Sequence, residues 1–117
     1  MNIKNAKITR TFLGREDHGI MTFSIHVHTD AYDVGVGYYA IDGYDRETKS
    51  RNFTAKGLEA ISKIRDVVGV DTWEQLPDKY IRIKDDGRGS TIDEIGNLIE
   101  DKWFNLRDFF TEKGEEK

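Results

Sequence analysis

Residues 20–28, IMTFSIHVH, alternate without a break: Met21, Phe23, Ile25 and Val27 share one side, Thr22, Ser24, His26 and His28 the other. Successive strand side chains point to opposite faces, so this pattern predicts a strand with one buried face. A half-buried strand cannot stand alone; it requires neighbours to pair with and an apolar layer to cover it. Residues 34–41, VGVGYYAI, resume the same period, with Val34, Val36, Tyr38 and Ala40 on one face and Gly35, Gly37 and Tyr39 on the other. Gly35 and Gly37 are bare positions that permit either a bulge or close approach of a ligand to the backbone. Residues 3–12 read as a further strand, and 14–19, GREDHG, as a loop rich in glycine and charge.

The covering layer is supplied by residues 54–68, where Leu58, Ile61, Ile64 and Val68 recur at helical spacing. Thr54 is placed to cap the start and Gly69 the end. Gly57 is unfavourable in a helix by about 1 kcal/mol relative to Ala, which points to close packing there. Asp71 and Glu74 suggest a second, short helical turn that Pro77 ends. Residues 80–84 alternate again, with Ile81 and Ile83 on one side. The stretch 85–90, DDGRGS, has the composition of a tight turn. Residues 91–99 support two readings, a capped helix or a returning strand with Gly96 at a bulge; the strand is preferred because 80–84 needs a partner. Residues 106–110 form a last helical turn. The expected fold is therefore α+β: a small antiparallel β-sheet packed against one main helix, with short additional helical turns. With 117 residues, the chain is one domain over 1–111 followed by a charged tail at 112–117.

Composition excludes several kinds of chemistry. There is no Cys, so disulfides, thiolate nucleophiles and zinc–thiolate sites are absent. No secretory apolar segment and no run near 18 apolar residues occurs, so a soluble, cytoplasmic protein without membrane association is expected. The net charge of −4 hides two unlike regions: 13 basic and 12 acidic residues in 1–84, but 5 basic and 10 acidic in 85–117. Residues 46–65 hold six basic and two acidic groups. Opposed patches of this kind steer encounters with partners.

Candidate sites follow from residue type. His26 and His28 project from one strand face, as weak candidate metal ligands; His18 is a weak candidate acid or base. No carboxylate pair, nucleophile elbow or phosphate-binding glycine motif is present, and no cofactor is implied. Arg46, Lys49, Arg51, Lys56, Lys63 and Arg65 are the only concentrated basic set, and Lys56, Lys63 and Arg65 do not share one helix face, so direct nucleic-acid binding is not expected. Tyr38, Tyr39 and Tyr44 are candidate interface anchors. Asp85, Asp86, Asp93, Glu94, Glu100 and Asp101 are candidates for presenting negative charge to a basic partner.

The stretches 8–20 (ITRTFLGREDHGI), 67–73 (VVGVD-W), 80–83 and 95–104 (IGNLIEDKWF) resemble a family of small uncharacterised proteins encoded by bacteriophages and prophages. The likeness spans nearly the whole chain and favours a strand at 91–99. Relatives are richer in glycine where this chain has Thr29-Asp-Ala-Tyr-Asp33. The resemblance implies an accessory protein in the host cell that binds and blocks a host protein, such as a nucleic-acid-processing complex or a CRISPR-type defence component. Two alternatives stand beside this non-enzymatic binding role: a small metal-dependent hydrolase using His18, His26 and His28, and a small-molecule or nucleotide-binding module at Gly35 and Gly37. A homodimer would suit a small sheet with unpaired edges.

Overall fold

The structure, a computed structural model, describes residues 2–85 and 91–111. Residues 86–90, Asp86 among them, and the tail at 112–117 lie outside the described residues. The chain forms β1 (Asn2–Glu16), β2 (Ile20–His28), β3 (Asp33–Ala40), β4 (Asp42–Asp45), β5 (Ser50–Phe53), α1 (Ala55–Val68), β6 (Tyr80–Asp85), β7 (Thr91–Ile92), β8 (Glu94–Asn97), β9 (Trp103–Asn105) and α2 (Leu106–Thr111). The architecture is α+β, as the hydropathy pattern requires.

The main sheet has the order β7-β3-β2-β1-β6-β8-β9. All its pairs are antiparallel except β3 with β7, so the sheet is mixed rather than purely antiparallel. Only Asp93 separates β7 from β8. In a flat sheet those two strands would lie five inter-strand spacings apart, about 24 Å. Two Cα steps span at most about 7 Å, so the sheet must roll up and close on itself. The result is a five-stranded barrel in which 91–97 pairs with β3 at its start and β6 at its end. β1 bends around the barrel, pairing with β6 through residues 2–7 and with β2 through 7–16.

Phe23, Ile25, Ile8, Val36, Ile81, Ile83 and Ile95 are fully buried inside this closure. α1 closes one side of the core through Gly57, Ala60, Ile64 and Val67, not the stripe through Leu58 and Val68. Leu58 is instead 73% exposed. Gly57 sets this rotation. A Cβ there would stand 2.4 Å from the Ile41 carbonyl oxygen, so only glycine lets the helix lie against that backbone. Periodicity missed the true contact line because two of its members, Gly57 and Ala60, have almost no side chain. The caps occur as expected: Thr54 Oγ1 accepts from Gly57 N at 2.9 Å, and Gly69, at φ 93°, donates to Arg65 O.

Four local expectations are corrected. β1 continues to Glu16, so the loop shrinks to Asp17–Gly19, with His18 (φ 62°) and Gly19 (φ 75°) turning the chain. Gly14 stays in register with Thr22 and is covered by the Phe12 ring. The polar connection 42–52 is a hairpin, β4–β5, whose alternation is hidden by its charged residues. In the short turn after α1, Gln75 rather than Glu74 returns the bond: its Oε1 accepts from Asp71 N and Thr72 N. Finally, between Gly37 and Ala40 β3 gains one residue relative to β2. Gly37 (φ 110°) and Tyr38 (φ 71°) absorb this bulge. It flips the later side chains, so Tyr39 turns towards the core and Tyr38 to the outer face. Left-handed φ at an aromatic residue costs about 1–2 kcal/mol.

Candidate functional site

Asp86 aside, which lies outside the described residues, the acidic candidates are engaged within the fold. Asp93 accepts from the Tyr39 hydroxyl at 2.9 Å and lies 4.0 Å from Arg107. Glu94 pairs with Lys84 at 3.3 Å, Glu100 with Lys102 at 3.3 Å, and Asp101 accepts from Trp103 Nε1 at 3.0 Å. Asp85 accepts from the Tyr32 hydroxyl. These carboxylates serve local pairs in β6, β8, β9 and the turn between them. Burial and the Asp93 bond push the Tyr39 phenol up to about 12; the Asp85 bond does the same to Tyr32.

The histidines do not converge. His18 lies in the β1–β2 turn, while His28 ends β2, eight residues from its start at Ile20, a separation of about 26 Å. His28 Nδ1 meets Asp33 Oδ1 at 2.5 Å, and His26 Nε2 lies 3.3 Å from Ser24 Oγ. Burial, then the Arg10 charge, lowers the His26 pKa. Among the described residues, no group of three or more His, Asp or Glu is arranged to hold a metal ion. No helix among them is long and apolar enough to cross a membrane.

The bare glycine positions are filled from within. A Cβ on Gly35 would meet the Tyr38 ring, 2.6 Å from its hydroxyl, and one on Gly37 would meet Phe23. Of the three candidate tyrosines, Tyr39 stacks on Phe110 with centroids 4.6 Å apart, whereas Tyr38 on the barrel and Tyr44 on the β4–β5 hairpin are exposed.

An apolar groove that the sequence pattern did not reveal lies between α1, the β4–β5 hairpin and the β1–β2 hairpin. Its volume is about 530 Å³, and Leu13, Met21, Ile41, Phe53, Leu58 and Ile61 line it. Phe53 and Leu58 are each 73% exposed. The hairpin forms one wall and is anchored at its base. Arg51 Nε and Nη2 donate to both carboxylate oxygens of buried Asp42, which also accepts from Met21 N at 3.2 Å. That bidentate bond holds the Asp42 carboxyl below its ordinary range despite burial. The available signal was Phe53, an isolated aromatic in a charged stretch, followed five residues later by Leu58.

Comparison with protein-family models, with curated proteins and with solved structures returns no match.

Proposed function

We propose that this chain is a non-enzymatic binding protein whose apolar groove receives an apolar segment of a partner protein. The observation that carries this reading is the pair Phe53 and Leu58, both largely exposed and both lining one apolar groove. Contiguous exposed apolar surface of this kind marks interaction sites, whereas isolated exposed residues do not. Covering Phe53, Leu58 and Leu13 is worth about 1.5–3 kcal/mol each before the cost of association. In the bordering segment 46–65, Arg51 is spent on Asp42 and Lys56 and Lys63 lie over the Phe109 ring, which leaves Arg46, Lys49 and Arg65 to favour an apolar occupant flanked by acidic residues. The resemblance to phage accessory proteins makes a host protein the natural source of that segment, a defence component of the CRISPR type among them. Asp85, Asp93, Glu94, Glu100 and Asp101 make a poorer contact surface, because each already has a partner within the fold.

The test is a peptide-display selection on the wild-type protein, with counter-selection on Leu58→Glu. Enrichment of apolar, acid-flanked peptides that bind Leu58→Glu at least tenfold more weakly supports the reading. No enrichment, enrichment insensitive to residue 58, or self-association abolished by the same substitution overturns it; the last outcome would make the groove a homodimer interface.

A further inference from the structure

The outer face of β1–β3 lies away from the groove and has a different chemistry. Arg10 on β1 pairs in register with His26 on β2, which pairs with Gly35 on β3. The Tyr38 ring lies across Gly35 and meets the His26 ring edge-on, with centroids 6.1 Å apart. Any side chain at residue 35 would evict it. Tyr38 keeps this position despite its left-handed backbone and is still 48% exposed. One register row away, Tyr80 on β6 faces Lys7, which faces His28, which faces Asp33. Tyr80 is 55% exposed and three strand spacings from β3, about 14 Å.

Charge on this face is sparse. Lys7 is paired with Asp78, which is 82% exposed, and His28 with Asp33; such exposed pairs are weak and exchange readily for other ions. Among the described residues Arg10 makes no ion pair. Burial and then the Arg10 charge lower the His26 pKa, which disfavours a further positive charge on this face. The face thus offers two exposed aromatic rings with two cations between them, Arg10 without an ion pair and Lys7 in an exposed pair with Asp78 that a phosphate must displace.

We infer that this face binds a short single-stranded nucleic acid, with Tyr38 and Tyr80 stacking on bases and Arg10 and Lys7 contacting the backbone phosphates between them. Stacking needs unpaired bases, and two cations supply too little charge to hold a duplex, so a single strand is the fitting ligand. With two phosphate contacts, log K should fall with log salt at a slope of only about −1.4.

The test is fluorescence anisotropy with a labelled oligothymidylate and a duplex of equal length, over a salt series. The expected result is binding of the single strand, with the shallow slope above and weaker binding of the duplex. Tyr38→Gly accepts the left-handed backbone without strain, so it keeps the fold, and it should weaken binding by about 5- to 150-fold, the loss of one stacked base. Tyr38→Phe should retain most of the affinity. Arg10→Gln should weaken binding and flatten the slope by about 0.7. Glu59→Gln, exposed on α1, should leave the oligonucleotide affinity unchanged. Absence of binding at high micromolar protein, equal affinity for the duplex, or a Tyr38→Gly protein that binds like wild type overturns the inference.

Discussion

Asp42 and Arg51 join the two strands of the β4–β5 hairpin at its base, with guanidinium nitrogens 2.8 and 3.0 Å from the two carboxylate oxygens. An isolated two-stranded hairpin is marginal in water, so this pair, on a carboxylate 8% exposed, holds the hairpin against the barrel. Asp42→Ala strands the guanidinium and the Met21 N–H, and should destabilise the protein by about 2–4 kcal/mol. Urea unfolding measures this; a loss below about 1 kcal/mol would show that the hairpin needs no anchor. Because the folded-state pKa of Asp42 is depressed, its contribution is present above the ordinary carboxylate value near 3.8 and is lost as pH falls through the folded value.

Gly57→Ala separates helix propensity from packing. Propensity alone favours Ala by about 1 kcal/mol. The added methyl would press on the Ile41 backbone, which cannot move without shifting the start of the hairpin. A net destabilisation of about 1–3 kcal/mol is expected by thermal or chemical unfolding. A stabilised variant would contradict the close helix–strand contact.

Leu58 and Ile64 both belong to the apolar stripe of α1, yet they should respond oppositely to truncation. Ile64→Ala opens a cavity in the core and should cost about 2–5 kcal/mol. Leu58→Ser should stay within about 0.5 kcal/mol of wild type, since the residue faces solvent. Equal losses at the two positions would place Leu58 in the core and close the groove.

Tyr32 and Tyr39 provide a pH test. In the unfolded chain a tyrosine ionises near 10, in the fold these two only near 12. Between those values the unfolded state has released protons that the folded state retains, so stability falls as pH rises from about 10 towards 12. Near-UV phenolate absorbance should show a late-titrating fraction that disappears in denaturant. Tyr39→Phe should reduce both that fraction and the alkaline loss of stability. A titration identical in folded and unfolded protein would contradict the Asp85 and Asp93 hydrogen bonds.

The amino-acid order alone specified the strand 20–28, the helix with its Thr54 and Gly69 caps, the inward set Phe23, Ile25, Ile81 and Ile83, and the close contact at Gly57. Each rests on a local rule: alternation, helical period, capping chemistry or the cost of glycine in a helix. Tertiary structure alone decided what lies far apart in sequence. The barrel closes because one residue, Asp93, separates a strand paired with β3 from one paired with β6, and no local pattern encodes that. The bulge at Gly37–Tyr38 inverted Tyr38 and Tyr39, since a single extra residue exchanges faces in a period-two element. Asp85, Asp93, Glu94, Glu100 and Asp101 look like a free negative surface in sequence, but each has a partner in three dimensions. The helix rotated to seat Gly57 on Ile41, leaving Leu58 beside Phe53 and creating a groove from residues that periodicity assigned to the core or to a connection.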